Sequence, residues 1–307
     1  MAITRVSDLG NLVLAGIREV FDTAKQNPGP IEYPQICREV FETKQTGKYD
    51  TVGSLGPATA HKEESSGVYD KVEWNNETTI VSSTVEKKVA ATIESKEFDQ
   101  YGVIEATFGA PLMNTLIMYK EQAVADVWND CFTDTGADGV YIASSTHPLK
   151  NNSALYNDNL ASGALTVDNI KTAKNMFNHI YTQSGMKFHT NPTHILLHKD
   201  KLYDINELLA SNLMAWQLSN TINSLQSVAP LQIIVSTHLD ISSVGVSPWF
   251  LIDKTLKGAG CVLQKRTDVR LKTWEDPDDG TFKARAYEIY GVGMVAPGYG
   301  FVASPGS

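Results

Sequence analysis

Two histidines four residues apart, His194 and His198, have the clearest potential for metal chemistry in this sequence. On a helix, this HxxxH spacing would bring both imidazole rings to one ion. The segment that contains them, THILLH, is instead an apolar run typical of a buried strand, in which four residues span about 13 Å. The two rings therefore cannot share an ion, and His189 lies beyond a proline-containing turn from both. We interpret all three as structural histidines and predict neither a metal ion nor a cofactor.

The segment GVGMVA, from Gly291 to Ala296, fits the GxGxxA form of a dinucleotide-binding fingerprint and follows a predicted strand. That fingerprint requires a helix whose N-terminus faces the pyrophosphate and an acidic residue about 20 positions further on. Here Pro297 comes next and the sequence closes at Ser307, so neither requirement is met. We expect a bulged strand at this position.

Two further polar segments invite a chemical interpretation. SSTHP, from Ser144 to Pro148, places hydroxyl groups beside His147, but it lacks the GxSxG elbow of a serine hydrolase and predicts a turn. DPDDG, from Asp276 to Gly280, lies between two predicted strands and indicates a hairpin tip. A calcium loop would need further spaced ligands and a terminal glutamate. Neither segment supplies a catalytic group, so we predict that the protein is not an enzyme.

The elements around these residues include both helices and strands. The predicted helices span Leu12–Phe21, about Leu112–Cys131, Val167–Ser184 with Thr166 as N-cap, and KDKLYDINELLAS. The second of these carries apolar stripes on two sides, which indicates more than one packing partner. Strands are predicted from Val81 and in THILLH, LQIIVS, WFLID, CVLQKR, VRLKTW and FKARAYEIYGVGMVA. The fold class is therefore α+β with mixed sheets.

The bulk composition bounds the function. The chain has 307 residues, of which 42% are hydrophobic and 20% charged, as expected for a folded protein. Its net charge of −9 argues against a protein that grips nucleic acid through a basic face, so contact with DNA should be weak. We find no apolar run that could span a membrane and no secretory signal. Three widely spaced cysteines indicate neither a disulfide framework nor a zinc site.

The stretch from Lys48 to Ser83 is difficult to place in a single compact domain. It is polar, with only scattered apolar residues, and structureless connections longer than about 12–15 residues are uncommon. Its turn-forming segments SLGP and EESSG flank candidate strands, which predicts a two-stranded arm. Because a lone two-stranded hairpin is marginally stable in water, this arm needs a surface on which to pack.

Three segments occur in an order known from one protein family. EKKVAATIESKEFDQYGVI, from Glu86 to Ile104, is similar to the segment that leads into a long spine helix in that family. GVYIASSTHPLKNNSALYNDNL, from Gly139 to Leu160, is similar to a family segment in which a His-Pro turn precedes an Asn-rich loop. LQIIVSTHLD, WFLID and YEIYGVGMVAPGYGF follow its C-terminal order. Over nearly its whole length, the chain thus resembles the major capsid proteins of tailed bacteriophages with the HK97 fold.

The resemblance implies four parts: an N-terminal arm, an extended β-hairpin loop, a peripheral domain that contains the spine helix, and an axial domain. They would comprise, in that order, residues 1–40, residues 41–85, residues 86–138 completed by 250–290, and residues 139–249 with the tail 291–307. The resemblance also implies that the arm from Lys48 to Ser83 lies on a neighbouring copy of the chain.

Charge indicates where the arm would dock. Lys48–Ser83 has a net charge of −3, whereas the predicted strand region Asp253–Lys272 has a net charge of +4. We therefore predict that the acidic arm of one subunit contacts the basic strand region of the next. The residues assigned to this interface are Glu63, Glu64, Val72, Glu73 and Trp74 on the arm and Lys265, Arg266 and Arg270 on the strands. An ordinary solvated strand face is the alternative explanation.

The function implied by the resemblance is that of a major capsid protein, which forms the hexamers and pentamers of an icosahedral shell around packaged double-stranded DNA. Its partners would be many copies of itself, with portal, scaffolding and cement or decoration proteins, and no membrane. It would be assembled in the host cytoplasm and reside in the virion. The alternatives are an encapsulin-type nanocompartment shell and a cytosolic α+β enzyme that uses His147 or the glycine-rich strand.

Overall fold

The computed structural model describes residues 6–49, 54–58, 60, 67, 69–72, 76–92, 103–150, 154–210, 225, 230–240, 247–256, 258–278 and 280–306. The helices in these ranges are α1 Val6–Gln26, α2 Tyr33–Ile36, α3 Val103–Asn129, α4 Val167–Met176, α5 Leu202–Ala210 and α6 Pro297–Gly300. The strands are β1 Arg38–Phe41, β2 Thr46–Tyr49, β3 Thr78–Val81, β4 Ser83–Ala91, β5 His147–Pro148, β6 Tyr156–Asn157, β7 His194–His198, β8 Gln232–Ser236, β9 Trp249–Ile252, β10 Gly260–Glu275, β11 Phe282–Val295 and β12 Phe301–Ser304. Short 3-10 turns occupy Asp130–Phe132, Phe177–His179 and Lys199–Lys201.

The first sheet has the strand order β1-β10-β11-β4, with β1 parallel to β10 and the other pairs antiparallel. Strands β10 and β11 form a long hairpin, so CVLQKR and VRLKTW, predicted as two strands, are one continuous strand. The register shifts between Lys265 and Thr267 and again between Thr267 and Arg270. These irregularities fall where the apolar pattern of the sequence is interrupted, which explains why one strand reads as two.

Helices α1 and α3 pack together on one face of this sheet. Ile17 and Phe21 of α1 are each 1% exposed and share a core with Leu112 of α3. Gly109 permits the close approach, because a Cβ atom there would lie 2.7 Å from Cγ1 of Val20. The N-terminal helix therefore packs on the body of its own chain, although the resemblance assigns it to an arm.

Helix α3 begins nine residues before the predicted start at Leu112 and continues through Pro111. Sequence reasoning stopped there because Gly109 and Pro111 are poor helix formers. The prediction of two apolar sides is confirmed, since Leu112 faces the first sheet whereas Val124 and Trp128 lie in a core shared with the second.

The second sheet has the order β12-β9-β7-β8, in which β7 is parallel to β8 and antiparallel to β9. Its centre is buried, with Leu196 of β7 and Phe250 of β9 both 0% exposed. Trp128 at the end of α3 packs edge-on against Phe250 and Phe301, with ring centroids 5.1 and 5.3 Å apart. The long helix therefore joins the two sheets through one aromatic core, and the predicted α+β class is confirmed.

Helix α4 starts as predicted and ends early. The side chain of Thr166 accepts a hydrogen bond from the backbone of Asn169, which confirms the N-cap. The helix ends at Met176, eight residues before the predicted end at Ser184. The chain tightens there into a 3-10 turn, and Ile180 then adopts extended backbone.

Three global features complete the fold. Within the described ranges, none of the helices combines the length and the apolarity that a membrane crossing requires. Cys37, Cys131 and Cys261 are buried free thiols. Burial raises the pKa of Cys37 to about 12, so this thiol is held in its unreactive protonated form.

Candidate functional site

The histidines with potential for metal chemistry lie in structural positions. His194 and His198 occupy the two ends of β7, which confirms the strand prediction. His194 contacts the hydroxyl of Thr193, and Nδ1 of His198 accepts a hydrogen bond from the backbone of Asp200. Among the residues that the structure describes, no group of three or more His, Cys, Asp or Glu side chains is placed to bind a metal ion.

The glycine-rich segment belongs to β11, as predicted, but its glycines serve close packing. A Cβ atom on Gly291 would lie 2.6 Å from the carbonyl oxygen of Val81, and one on Gly293 would lie 3.0 Å from Cγ1 of Ile80. Ile80 itself is only 3% exposed. The expected bulge is wrong, because β11 pairs with β10 in regular register from Gly291 to Val295. The glycines are needed because β3 lies directly on this strand.

The two remaining polar segments also have structural roles. His147 is 3% exposed and faces the side chains of Asp138 and Asn159, so it is not paired with a nucleophilic hydroxyl. The DPDDG segment forms the tip of the β10–β11 hairpin, as predicted. Backbone hydrogen bonds from Asp276 to Thr281 and from Gly280 to Asp276 close it.

The base of the polar arm packs on its own chain. Strands β2 and β3 pair antiparallel, which confirms a two-stranded structure for this part of the arm. The hydroxyl of Tyr49 donates to Oε1 of Gln264 at 3.1 Å, and Nε2 of Gln264 donates to Ser82 Oγ at 2.7 Å. The resemblance implies that all of Lys48–Ser83 lies on a neighbour, and this is wrong for the base of the arm.

Beyond its base, the arm touches its own second half at one point. The backbone N–H of Ser184 donates to Ser54 Oγ at 3.0 Å, and the hydroxyl of Ser184 donates to the carbonyl of Leu55 at 2.8 Å. The side chains of Leu55, Tyr69 and Val72 are nonetheless 51%, 101% and 39% exposed. Of the arm residues assigned to the interface, Val72 is described, whereas Glu63, Glu64, Glu73 and Trp74 lie outside the described residues.

The three cations assigned to the docking region are not on one surface. Lys265 forms a 2.5 Å ion pair with Glu39 and lies 5.6 Å from the ring of Tyr33, on the face of the sheet that α2 and α3 cover. Arg266 and Arg270 are exposed. The odd separation of Lys265 and Arg270 is a sequence signal for opposite faces, because side chains alternate along a strand. The structure brings Arg270 together with a different set of cations.

That set lies on the open face, defined as the side of the β10–β11–β4 sheet opposite α1 and α3. Cross-strand register places Arg270 beside Tyr287 and Glu86, and the next row is Lys272, Arg285 and Lys88. A third row contains Trp274 and Lys283. The β2–β3 hairpin covers the other end of this side, near Gly291. The sequence could not identify these neighbours, because they come together only through strand pairing.

Most of the charge on the open face is cationic. Glu86 forms ion pairs with Lys88, at 2.8 Å, and with Arg285. The hydrogen bond from Lys88 is the main cause that lowers the pKa of Glu86 below its usual range. Among the described residues, Arg270 and Lys272 have no carboxylate within ion-pair distance. Arg285 also lies 4.9 Å from the ring of Tyr287, so the face combines cations with an aromatic surface.

A buried ion pair that sequence analysis did not anticipate connects α3 to β11. Lys120 and Glu288 are in direct contact, with side chains 6% and 3% exposed. The ammonium of Lys120 lies 5.3 and 5.4 Å from the rings of Tyr33 and Tyr290. Burial raises the pKa of Glu288, and the charge of Lys120 opposes this shift. The signal available in the sequence was Lys120 itself, a cation on an apolar stripe.

These features define a class of protein. Two sheets share one long helix, the described part of the arm beyond its base is exposed, and one sheet face is uncovered within the described ranges. Such a molecule is a structural subunit whose surfaces are completed by other chains. The chain belongs to the phage capsid protein family, whose model matches residues 76–303.

Solved structures support the same fold. The chain is 13% identical to a chain of the procapsid of bacteriophage JBD30, with a TM-score of 0.51 and coverage of 99% of this chain and 77% of that one. For the capsid of the native GTA particle, the values are 11% identity, a TM-score of 0.57 and 89% coverage of each chain. For the virus-like particle from Pyrococcus furiosus, they are 13%, 0.50, and 94% and 98%. A comparison with curated protein sequences gives no match.

The predicted HK97-like fold is therefore confirmed, and the chain is a major capsid protein, a structural subunit of a bacteriophage capsid.

Proposed function

We propose that copies of this chain form the hexamers and pentamers of an icosahedral shell that encloses packaged double-stranded DNA. The observation that carries this proposal is the exposure of Leu55, Tyr69 and Val72 on an arm whose base is firmly anchored. Large apolar side chains on a surface arm gain stability when a second chain covers them. Membership of the phage capsid protein family supports the same proposal.

Assembly can be tested directly on the purified full chain. We expect light scattering to detect particles of megadalton mass and negative-stain images to show closed shells with hexameric and pentameric units. A small oligomer that remains small at high protein concentration would contradict the proposal. The same preparation tests the cargo, because a nuclease-resistant DNA content in shells from infected cells is expected of a phage head.

A second candidate is an encapsulin-type compartment, which the likeness to the virus-like particle from Pyrococcus furiosus supports at the level of fold. The two candidates differ in what the particle contains. A phage head assembled in the host cytoplasm and retained in the virion contains DNA and copurifies with portal, scaffolding or decoration proteins. A compartment contains a cargo protein, so mass spectrometry of purified particles distinguishes them.

We also propose the four-part organisation that the resemblance implies, with two borders moved. The N-terminal arm (1–40), the extended loop (41–85), the peripheral domain (86–138 with 250–290) and the axial domain (139–249 with 291–307) follow the two sheets closely. Strand β9, Trp249–Ile252, belongs to the second sheet, so the peripheral part resumes after it. Strand β11 ends at Val295, so the peripheral part extends to that residue.

The acidic arm is proposed to dock on the open face of the neighbouring subunit. The arm carries a net charge of −3, and Arg270 and Lys272 lack a carboxylate partner among the described residues. Trp74 and Val72 would supply apolar anchors against the aromatic surface near Tyr287. Arg266 can join this contact because it is exposed. Lys265 is a poor candidate, because Glu39 already neutralises it within the chain.

Charge reversal tests this docking. We expect Arg270→Glu with Lys272→Glu to prevent shell formation while amide hydrogen exchange shows a folded subunit. Adding Glu63→Lys and Glu64→Lys should restore assembly, because the attraction is re-formed with opposite signs. The matched control reverses Lys187 and Lys199, two exposed lysines away from the open face. Normal shells from the first variant would refute the docking, and loss of shells in the control would assign the effect to net charge.

A further inference from the structure

A buried polar cluster lies where the two sheets meet. It consists of Asp138, in the loop that follows α3, His147 at the start of β5, and Asn159, just after β6. His147 is 3% exposed and Asn159 is 0% exposed. The chain passes from β11 of the first sheet to β12 of the second through the turn that begins at Pro297, and Asn159 contacts this turn. We call these three residues the histidine lock.

The orientation of the Asn159 amide is fixed by its neighbours. Its Nδ2 donates to the carbonyl oxygens of Ile142 and Pro297, each at 2.9 Å. Its Oδ1 accepts a hydrogen bond from the backbone N–H of Ser144 at 2.7 Å. A flipped amide would face two carbonyls with an oxygen and an N–H with a nitrogen, so this flip is excluded.

The fixed amide determines where His147 carries its protons. Nε2 lies 3.0 Å from Oδ1 of Asn159, which can only accept, so Nε2 must be protonated. The other ring nitrogen, Nδ1, lies 2.5 Å from Oδ2 of Asp138. Two lone pairs cannot face each other at this distance in a buried place, so a second proton lies between Nδ1 and Oδ2.

We infer that this second proton is a lock on the junction between the two sheets, which holds while His147 and Asp138 share it and opens when it is removed. The proton ties the loop after α3 to β5. Nε2 and the Asn159 amide then extend the connection to β6 and to the turn between β11 and β12. When the proton passes to hydroxide at high pH, the neutral ring presents a lone pair to the carboxylate of Asp138. The repulsion separates them and exposes the cluster to water.

The surroundings of the lock do not supply a substitute for this proton. Asp158, beside Asn159, is a carboxyl whose pKa is raised mainly by burial, and the charge of His147 lowers it in part. Tyr299, from the turn after β11, has its pKa raised to about 12, mainly by burial, and Asp138 contributes to this shift. Gly298 lies against the ring, since a Cβ atom there would be 3.2 Å from Cγ of His147. The ring therefore cannot turn away without moving this glycine.

The structure also supplies a substitution that removes the proton without removing the contact. Asp138→Asn places an amide donor opposite Nδ1, so a neutral ring protonated at Nε2 satisfies every group of the cluster. We expect this variant to fold and assemble as the natural chain does. The matched control is His189→Gln, at an exposed histidine outside the lock.

The test follows amide hydrogen exchange in full-chain particles between pH 6 and pH 10, corrected for the intrinsic exchange rate. In the natural chain, we expect the peptides that contain Ser144, Asn159 and Ala303 to lose protection by about tenfold per pH unit once the proton dissociates. His189→Gln should behave identically, whereas Asp138→Asn should retain its protection throughout. Nitrogen-15 NMR of His-labelled particles should show one histidine protonated on both nitrogens at neutral pH, a signal that Asp138→Asn abolishes.

Two results would overturn the inference. One is a flat pH profile in the natural chain, or the same pH profile in Asp138→Asn. The other is a spectrum in which no histidine is doubly protonated at neutral pH. The proposed shell function does not depend on these outcomes, because particles form in either case and are the material on which the exchange is measured.

Discussion

Substitution of Lys120 by methionine is the most demanding test of how the two halves of the core are held together. Methionine fills a similar volume but removes the charge that faces Glu288, whose side chain is 3% exposed. Removing one partner of a buried ion pair leaves an uncompensated charge and costs about 3–5 kcal/mol. The loss includes the contacts of the ammonium with the rings of Tyr33 and Tyr290. Since domains are stable by only about 5–15 kcal/mol, this change should be obvious.

The penalty should depend on pH with a defined sign. Burial raises the pKa of Glu288 in the folded chain, and Lys120 opposes that shift. In Lys120→Met the opposition is gone, so the folded-state pKa moves further above its value in the unfolded chain. A carboxyl shifted in this direction destabilises the folded state at high pH. Its penalty declines as the pH falls through the folded-state pKa, and it vanishes below the unfolded-state value of about 4.3.

The measurement is urea unfolding of the full chain, followed by tryptophan fluorescence between pH 4.5 and pH 8. The matched control is the double variant Lys120→Met with Glu288→Leu, which removes both charges and should recover most of the lost free energy of unfolding. A single variant that loses under about 1 kcal/mol would show that the pair is not effectively buried. A loss that does not change with pH, or a double variant as unstable as the single one, would refute the electrostatic reasoning.

Two further predictions concern local structure. Gly291→Ala should loosen the base of the arm and cost about 1–3 kcal/mol, because its Cβ atom would lie 2.6 Å from the carbonyl oxygen of Val81. Faster proteolysis within the arm measures this, and Gly29→Ala is the control because no atom lies within 4 Å of its added Cβ; equal cleavage of both variants would contradict the packing argument. Thr166→Ala should destabilise α4 by about 0.5–2 kcal/mol, since it removes the side-chain bond to the backbone of Asn169. An unchanged urea midpoint would show that this cap is dispensable.

The local elements of this protein were accessible from its sequence because their signals lie within a few neighbouring residues. Thr166 marks the start of α4 through one side-chain hydrogen bond. The apolar run THILLH gives β7, and the turn residues of DPDDG give the β10–β11 tip. The order of three degenerate segments was sufficient to indicate the capsid family, which the match over residues 76–303 confirms. The start of α3 was missed, because Gly109 and Pro111 have poor helix propensity and tertiary packing overrides it.

The surfaces of the subunit were decided only by tertiary structure. The sequence grouped Lys265 with Arg270 by proximity along the chain, but strand alternation separates them and pairing with β11 and β4 gives Arg270 its actual neighbours. The Lys120–Glu288 pair and the histidine lock likewise join residues from distant segments. Periodicity along one strand reports which residues share a face of that strand. It carries no information on register with other strands, because register is set by the burial of all the strands together.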